Sequence, residues 1–316
     1  MKITILNESF LKESHLNTLR SFGELVIYEN TDTEEKAIER LKGSQIAIAD
    51  CFIAPLNSKV FNSTESLKLL VINSTGYELV DNVTAKSKEI QVANIPEFST
   101  ESVAEQAIAL MLAVSRKIPT ADTAMKSSPF QIDPANQEQR KYLGFNLQGK
   151  TLGIVGLGSI GSRVAQIGIG FGMKVLAFNR SQKYIDGVKQ VSLEELLKES
   201  DVVSLHTPLT PETENIINSK RLQMMKSTAI IINTAHGELI DEPALVYVLQ
   251  SGKIAGAGLD TISQWNESNP LLKLDNVVLS PHSAFFTNES LNNCADIIVA
   301  NVKSYIEGKA INIVNP

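Results

Sequence analysis

Hydrophobic and polar positions along this chain follow two alternating patterns. Short runs of β-branched and other apolar residues predict strands, and the longer stretches between them have the spacing of helices. Up to residue 97 the predicted strands are Lys2–Leu6, Glu24–Tyr28, Ile46–Asp50, Leu69–Asn73 and Gln91–Ile95. Strands separated by helix-length segments are typical of βαβ units, so this part of the chain predicts a small α/β unit with a parallel sheet.

A second series of the same kind begins at Lys150. Its predicted strands are Thr151–Gly156, Lys174–Phe178, Val202–His206, Ala229–Asn233, Gly256–Asp260 and Asn276–Ser280. Thr287 is a candidate N-cap for a final amphipathic helix, which Gly308 would end. The chain therefore predicts two α/β units, followed by one more helix.

Two segments connect the two series. Residues Ser99–Arg116 predict a helix that is apolar on nearly all faces, which is typical of a helix buried between two layers. Residues Pro119–Gly144 have weak periodicity and predict a surface loop with short helical turns.

Composition limits the class of protein. With 316 residues, 43% hydrophobic and 20% charged, the chain has the length of roughly two domains of about 150 residues and enough apolar residues for two cores. The net charge of −6 argues against a nucleic-acid partner, because phosphate backbones select basic surfaces. The longest apolar run, Ala107–Val114, is too short to span a membrane.

The cysteine count points to a reducing compartment. Cys51 and Cys294 are too few for a disulfide scaffold and lack the spacing of a metal site. The N-terminal segment lacks the basic and apolar regions of a secretory signal. We therefore expect a cytoplasmic protein without a bound metal.

The most informative motif lies at the start of the second series. Gly156, Gly158 and Gly161 have the spacing G-x-G-x-x-G between a predicted strand and a predicted helix, Ile160–Phe171. In a dinucleotide-binding motif the first glycine permits the turn, the second admits the pyrophosphate, and the third lets the helix pack on the strand. Free N–H groups at the helix N-terminus would bind the phosphates. An ordinary turn with packing glycines is the alternative, and the flanking strand and helix disfavour it.

The end of the next predicted strand bears on which dinucleotide is bound. NAD sites carry Asp or Glu there to bind the ribose hydroxyls, whereas this chain has Asn179, Arg180 and Ser181. Arg180 could pair with a 2′-phosphate, and Asn179 and Ser181 could add hydrogen bonds. The pattern favours NADP and leaves NAD possible, because Arg180 could also be a solvated loop residue.

Several blocks in order resemble the D-isomer-specific 2-hydroxyacid dehydrogenase family, most closely its glycerate dehydrogenase/hydroxypyruvate reductase branch. The resemblance covers nearly the whole chain. It rests on Asn73–Tyr77 with Val80 and Asp81, Ser99–Glu105, Leu147–Gly161, His206–Thr213, Ile232–Gly237, Ala257–Asp260 and Ser280–His282.

The resemblance implies two doubly wound parallel-sheet domains in a discontinuous arrangement. Residues 1–98 and 286–316 would form a flavodoxin-like substrate domain, and residues 99–285 an inserted Rossmann cofactor domain. The active site would lie in the cleft, and Ser99–Arg116 would cross between the domains. A homodimer is also a family expectation.

The family's functional positions carry over residue by residue. The turn Ser74-Thr75-Gly76 would offer backbone N–H groups to the substrate carboxylate, although a plain strand–loop junction explains Gly76 equally well. Besides the glycines, the resemblance implies cofactor contacts from Ser159, Ile160, His206, Thr207, Pro208, Thr213, Thr234, Ala235 and Asp260. Asp260 would hold the nicotinamide carboxamide, although its place at a strand end is also compatible with a turn or cap residue. For His206 a strand-end histidine without chemistry is the preferred interpretation.

His282 matches the family's acid/base histidine. Reduction of a 2-keto acid requires a proton on the keto oxygen, and a group that titrates near neutral pH supplies it efficiently. The family glutamate that pairs with this histidine is replaced by Trp265. Glu267 could take its place if the loop is rebuilt, or it could be a solvated loop residue.

A second family position is also changed, because His236 stands where the family has an arginine. That arginine binds the substrate carboxylate and polarises the keto group. A neutral histidine offers one donor and no permanent charge. Losing one charged donor to a transition state costs about 3–4 kcal/mol, or a factor of roughly 100 to 1,000 in rate. His236 could compensate if a neighbouring carboxylate kept it protonated.

Three hypotheses follow. The first is an NADP-preferring oxidoreductase that interconverts a small 2-keto acid, such as hydroxypyruvate or glyoxylate, and its D-2-hydroxy acid. The second is a reductase of a different carbonyl substrate, with His236, Trp265 and His282 in an altered site. The third is a dinucleotide-binding sensor or partner module that has lost catalysis.

Overall fold

The computed structural model describes residues 1–7 and 10–316. The chain divides into two compact units, the first formed by Met1–Ser99 with Thr287–Pro316 and the second by Thr100–Phe286. Each boundary lies one residue from the position expected from the sequence.

The N-terminal part of the first unit alternates strands and helices. In chain order these are β1 Lys2–Ile5, α1 Glu13–Phe22, β2 Glu24–Ile27, α2 Glu34–Arg40, β3 Ile46–Ala49, α3 Ser58–Asn62, β4 Leu69–Ile72, α4 Asn82–Ser87 and β5 Gln91–Ala93. The strands form one sheet in the order β2-β1-β3-β4-β5, and neighbouring strands in this order pair in parallel. β3 and β4 are buried along their whole length, as expected for central strands of a sheet covered on both faces.

The second unit begins with α5 Thr100–Ser115 and contains a larger sheet. Its further elements are α6 Ile118–Ser127, β6 Thr151–Val155, α7 Ser159–Gly170, β7 Lys174–Phe178, β8 Val188–Gln190, α8 Leu193–Glu199, β9 Val202–Leu205, α9 Ser219–Leu222, β10 Ile230–Asn233, α10 Glu242–Gln250, β11 Gly256–Leu259 and β12 Val277–Leu279. Short 3-10 helices occupy Gln137–Tyr142, Gly237–Leu239 and Pro270–Lys273.

The seven strands of this sheet run in the order β12-β11-β10-β9-β6-β7-β8, and neighbouring strands in this order pair in parallel. The order reverses between β6 and β9. Ligands of open parallel sheets bind outside the carboxyl ends of the strands at such a switch point. The topology therefore predicts a ligand site at the loops after β6 and β9 and at the loops beside them.

The last helix, α11 Asn288–Ile306, returns to the first unit. Thr287 caps it by accepting a hydrogen bond from the Ser290 N–H at 3.2 Å. Cys294, Ile298 and Val302 pack in the same core as β1, β3 and β4. The predicted final helix and its cap are confirmed.

Two elements differ from the expectation. α6 lies in the segment expected to be a loop, and none of its residues is buried. A helix without a buried face produces no apolar periodicity, and Pro119 in its first turn is compatible with helix geometry. β8 was also missed, because its three residues form an edge strand without a fully buried position.

The fold class expected from the sequence is confirmed, since both units are α/β with parallel sheets. Within the described part of the chain, no helix has the length and apolar character needed to cross a bilayer.

Candidate active site

The glycine motif forms a tight turn between β6 and α7. Gly156 has a φ of +98°, and a Cβ there would lie 2.5 Å from the carbonyl oxygen of His206. A Cβ at Gly161 would lie 2.0 Å from the carbonyl oxygen of Gly156, whereas one at Gly158 would meet nothing within 4 Å. Gly156 and Gly161 are thus required by packing, and Gly158 leaves an open concave backbone.

α7 begins at this turn. Gly158 is its N-cap and supplies no side-chain hydrogen bond. Ser159 and Ile160 occupy its first turn, where N–H groups have no partner within the helix. The helix dipole adds positive potential here, so the turn suits an anionic group.

The loop after β7 is fastened to this turn. Asn179 Oδ1 accepts a hydrogen bond from the Leu157 N–H at 3.0 Å, and its Nδ2 donates to the Ser181 carbonyl at 2.8 Å. Lys183 Nζ donates to the Leu157 carbonyl at 2.8 Å, a contact that the sequence did not reveal. Arg180 is exposed. The expected roles of Arg180 and Ser181 stay predictions, and Asn179 is engaged within the protein.

The loop after β9 begins with His206. Its Nε2 lies 2.8 Å from Ser204 Oγ, and burial lowers the pKa of His206 to about 3. Thr213 Oγ1 donates to the Pro208 carbonyl at 2.7 Å and accepts from the Thr210 N–H at 2.7 Å. Thr207 and Pro208 belong to the same turn, so Thr213 shapes this predicted cofactor loop.

The turn after β10 carries the unusual histidine. Asn233 is fully buried. Its Oδ1 accepts from the Ala235 N–H at 3.0 Å, and its Nδ2 donates to the His236 carbonyl at 2.7 Å. Asn233 thereby fixes the backbone of His236. The buried Thr234 Oγ1 has no hydrogen-bond partner among the described residues.

The loops after β11 and β12 meet at Asp260, which is fully buried. Its Oδ1 accepts from Ser280 Oγ at 2.5 Å and from the Ser283 N–H at 3.0 Å, and its Oδ2 accepts from the Ala284 N–H at 2.9 Å. The His282 N–H donates to the Asp260 carbonyl at 2.9 Å. Asp260 is therefore bound to the turn that carries His282.

His282 stands on the surface of that turn. The residue is exposed, and its φ of +54° is in the left-handed region. Its ring meets Phe285 edge-on with centroids 6.2 Å apart. A left-handed non-glycine residue held by surrounding contacts is a feature of functional sites.

The loop of residues 261–269 lies against the His236 turn. A Cβ at Gly237 would lie 2.4 Å from the Ile262 carbonyl carbon. Glu242, in the first turn of α10, accepts hydrogen bonds from the N–H and Oγ of Ser263, both at 2.7 Å. Its other carboxylate oxygen accepts from Asn269 Nδ2 at 2.7 Å. The loop is thus held at both ends by one carboxylate.

Trp265 and Glu267 lie between these ends. Trp265 is 57% exposed. Glu267 is exposed and has no hydrogen-bond or ion-pair partner anywhere in residues 1–7 and 10–316. The structure does not bring Glu267 into a hydrogen bond with His282, and a catalytic role for Glu267 stays a prediction.

In the first unit, the turn after β4 has its hydroxyls directed into the protein. Ser74 Oγ donates to the Gly76 carbonyl at 2.6 Å, and Thr75 Oγ1 donates to the Ile95 carbonyl at 2.8 Å. The N–H groups of Ser74, Thr75 and Gly76 have no hydrogen-bond acceptor among the described residues. The turn therefore offers donors of the kind that bind a carboxylate.

Comparison with known proteins shows which family has this fold and these loop sequences. Residues 108–284 match the family model described as D-isomer specific 2-hydroxyacid dehydrogenase, NAD binding domain. The glycerate dehydrogenase of Methylorubrum extorquens is 37% identical, with 96% of both proteins covered. The hydroxypyruvate reductase of Blautia hydrogenotrophica is 36% identical, with 100% of both covered.

The chain belongs to the D-isomer-specific 2-hydroxyacid dehydrogenase family. A solved structure described as an acyclic imino acid reductase in complex with NADPH and D-Arg has a TM-score of 0.92 at 36% identity, covering 99% of this chain and 100% of that one. The resemblance in the sequence is confirmed, and so is a nicotinamide dinucleotide as the class of cofactor.

The residues of this family member fit such a cofactor. Gly158 leaves the backbone open where a pyrophosphate would approach, and α7 presents its N-terminus there. The orphaned Thr234 hydroxyl is a polar group in need of a partner. Ser159 and Ile160 would hold the pyrophosphate, and the loops after β7 and β9 would flank the adenosine.

Sequence reasoning did not single out four residues that shape the site. Lys183, Glu242, Ser280 and Gln106 act through hydrogen bonds to loops distant in sequence. Asn233, by contrast, had a readable signal, because an asparagine directly after a buried strand favours a turn closed by its own side chain.

Proposed function

We propose that this protein is an NADP-preferring oxidoreductase that interconverts a small 2-keto acid, of the hydroxypyruvate or glyoxylate kind, and its D-2-hydroxy acid. The observation that carries the proposal is the His282 turn. An exposed imidazole is anchored through Asp260 at the same sheet edge as the glycine turn. An acid/base group beside a dinucleotide site is what hydride transfer to a carbonyl requires.

His282 moves the proton in this scheme. As a 2-keto acid is reduced, the imidazolium donates its proton to the former keto oxygen, and in oxidation the neutral ring removes it. The substrate carboxylate binds the N–H groups of Ser74, Thr75 and Gly76. A bound nicotinamide dinucleotide supplies or accepts the hydride. His236 would be a weak donor to the carbonyl compared with a guanidinium.

The proposed preference for NADP rests on charge. The loop after β7 carries Arg180 and Lys183, and no carboxylate stands at the strand end. Lys183 Nζ is held 2.8 Å from the Leu157 carbonyl, which brings a second cation to the glycine turn. Two cations there favour a 2′-phosphate over two ribose hydroxyls.

The test is an assay of NADPH and NADH oxidation with hydroxypyruvate and glyoxylate. We expect turnover by the wild type and a loss of about 100- to 10,000-fold in kcat in His282→Ala, the range for a general acid. His15→Ala, on α1 of the first unit, is the matched control and should keep full activity. A wild type that binds NADPH but reduces neither acid would support a dinucleotide-binding module instead.

We also propose a second candidate electrophile, a 2-imino acid, because of the charge around His236. The loops after β9, β10, β11 and β12 contain no lysine or arginine between residues 207–213, 234–241, 260–269 and 280–286. A ketone is best reduced beside a permanent cation that stabilises its developing oxyanion, and these loops supply no lysine or arginine for that role.

A protonated imine needs neither the missing arginine nor the missing glutamate. Its nitrogen already bears the proton and the positive charge. Hydride addition to the imino carbon moves the C=N electron pair onto nitrogen, and the neutral amine then takes a proton from solvent while NADPH becomes NADP⁺. A neutral His236 avoids the repulsion that an arginine would exert on this cation. The similar imino acid reductase structure supports this candidate.

A substrate comparison with NADPH separates the two candidates. One arm uses a 2-keto acid alone, a second adds methylamine in alkaline buffer to form the imine, and a third uses a cyclic 2-imino acid. If the imine is the better substrate, His236→Arg should raise keto-acid reduction by about 100-fold and lower imine reduction. Chiral chromatography of the products tells hydroxy acid from amino acid. Hydroxy acid as the main product in the methylamine arm, with no turnover of the cyclic 2-imino acid, would exclude the imine candidate.

We further propose that the protein acts as a homodimer in the cytoplasm. The segment of residues 118–143 exposes Ile118, Ile132 and Leu143, apolar side chains that a second copy could cover. Cys51 and Cys294 are buried free thiols, which suits a reducing compartment. Sedimentation at micromolar concentration tests the dimer, and a monomer would reject it.

A further inference from the structure

The carboxylate of Asp260 accepts three hydrogen bonds from the protein itself. Its two oxygens accept hydrogen bonds from Ser280 Oγ, the Ser283 N–H and the Ala284 N–H, and the residue is fully buried. Its carbonyl accepts from the His282 N–H. Four bonds therefore tie Asp260 to the turn that carries His282.

A fifth group extends this network into α5. Gln106 Nε2 donates to Ser280 Oγ at 3.0 Å. An amide N–H can only donate, so the Ser280 oxygen accepts there and its proton is free to point elsewhere. The Asp260 carboxylate, 2.5 Å away, can only accept, so it takes that proton. The direction of both bonds is fixed by the residue types.

We propose that Gln106, Ser280 and Asp260 form a positioning chain that holds the catalytic turn. The chain keeps His282 in its left-handed backbone conformation and aims its ring at the reacting oxygen. This inference rests on the proposed function of His282. It gives Asp260 a role in holding the turn, besides any contact with the cofactor, and it gives Gln106 and Ser280 roles that their sequence positions did not reveal.

The backbone of His282 explains why such a chain is needed. A φ of +54° is unfavourable for a residue with a Cβ, because the side chain crowds the following carbonyl. The family glutamate that would brace the imidazole is replaced by Trp265. In this chain the turn is instead held by hydrogen bonds from its own N–H groups to Asp260. Loss of the bracing lets the turn relax and moves the ring away.

Four variants test the chain. Ser280→Ala removes the proton that Asp260 accepts, and Ser280→Thr keeps it. Gln106→Glu is nearly isosteric but accepts instead of donating, so the Ser280 proton turns toward it and away from Asp260. Gln250→Glu, at the exposed end of α10, is the control for an added charge. Thermal unfolding verifies that each variant is folded.

The kinetic readout separates positioning from cofactor binding. We expect Ser280→Ala and Gln106→Glu to lower kcat by about 10- to 100-fold, as for small misplacements of a catalytic group. In plots of kcat against pH, both variants should lose the change in rate that the wild type owes to the titration of the acid/base group. The dissociation constant of NADPH, followed by the fluorescence of Trp265, should change by less than about twofold, because cofactor contacts remain. Ser280→Thr and Gln250→Glu should resemble the wild type.

A second readout does not depend on activity. The imidazole NMR signals of His282, assigned by their loss in His282→Ala, should broaden or split in Ser280→Ala and Gln106→Glu with NADPH bound. The His15 signals should stay unchanged. If His282 keeps its wild-type signals in both variants, or if NADPH binding weakens while kcat is retained, the positioning chain is wrong. A wild type without turnover whose His282 signals still respond would refute the proposed function and leave the chain intact.

Discussion

The histidines of the second unit differ in what each imidazole can do. His206 is half-buried beside Ser204, and the loss of solvent around its ring keeps it neutral by lowering its pKa. His236 lies in a turn whose backbone is held by a hydrogen bond from Asn233, so the Cα of His236 has a fixed position. His282 is exposed on an anchored turn. Burial and hydrogen bonding therefore leave His282 as the histidine best placed for proton transfer.

His206 should make the protein sensitive to acid. Burial lowers the pKa of His206 from 6.5 to about 3, so the unfolded chain binds a proton below pH 6.5 that the folded chain refuses. The stability from this group is complete above pH 6.5 and falls as the pH drops toward 3. Between pH 7 and about pH 4.5 the loss should be roughly 2–3 kcal/mol.

Urea unfolding at the two pH values measures this loss. His206→Gln cannot titrate, so its loss over the same interval should be smaller by that amount. His15→Gln is the control and should behave like the wild type. Equal pH dependence in His206→Gln and the wild type would contradict a neutral His206.

Arg180 should control the choice of cofactor. If its guanidinium pairs with the 2′-phosphate, Arg180→Ala removes a charge-assisted bond, and NADPH binding should weaken by about 10- to 100-fold. NADH lacks that phosphate, and its affinity should not change. Titration calorimetry with both dinucleotides checks this, with Arg140→Ala as a charge-matched control. Equal losses for NADH and NADPH would remove the argument for NADP.

At the scale of the elements, side-chain hydrogen bonds at the helix N-termini fix where many of the helices begin. Side-chain caps close the N-termini of α2, α3, α4, α8, α9, α10 and α11. α7 is different, because its N-cap is Gly158 and no side chain closes it. α1 and α6 also lack a side-chain cap hydrogen bond, but α7 is the uncapped helix that follows the glycine turn, where the phosphates of a cofactor would complete its N-terminus.

The cap of α11 gives a prediction at this scale. Thr287 Oγ1 accepts from the Ser290 N–H, so Thr287→Ala should lower the free energy of unfolding by about 1 kcal/mol. Thr287→Ser keeps the oxygen and should lose much less. Chemical unfolding followed by circular dichroism measures both variants. An equal loss in the two would mean that the methyl group, and not the cap, stabilises the helix start.

At the scale of the molecule, the proposed cofactor contacts all lie in the second unit. A ligand that binds the native state raises its stability by mass action, by about 2.7 kcal/mol at 100 times the dissociation constant. Trp265 is the one tryptophan of the chain and belongs to this unit.

NADPH should therefore raise the thermal midpoint reported by Trp265 fluorescence. His282→Ala should show the same rise, because the role that we propose for His282 is in proton transfer to the substrate and not in binding the dinucleotide. Gly158→Val, which fills the open backbone of the turn, should lose it. A midpoint unaffected by NADPH in the wild type would reject the cofactor site.

The sequence was sufficient to predict those features whose signals lie within a few neighbouring residues. The strand positions, the glycine turn and the final helix followed from periodicity and turn residues, because those signals act within a few residues. The placement of His282 and His236 at strand ends followed from the family blocks. α6 and β8 escaped, since neither has a buried face that would mark it in the sequence.

What the sequence by itself determined is the class of fold, the glycine turn after β6 and the positions of His236, Trp265 and His282 along the chain. The tertiary structure alone decided how those positions are supported. Gln106 meets Ser280, Lys183 meets Leu157 and Glu242 meets Ser263 across separations that no local pattern encodes. These residues meet because the parallel strands that carry their loops end side by side. The register of the strands is set by the packing of side chains on both faces of the sheet.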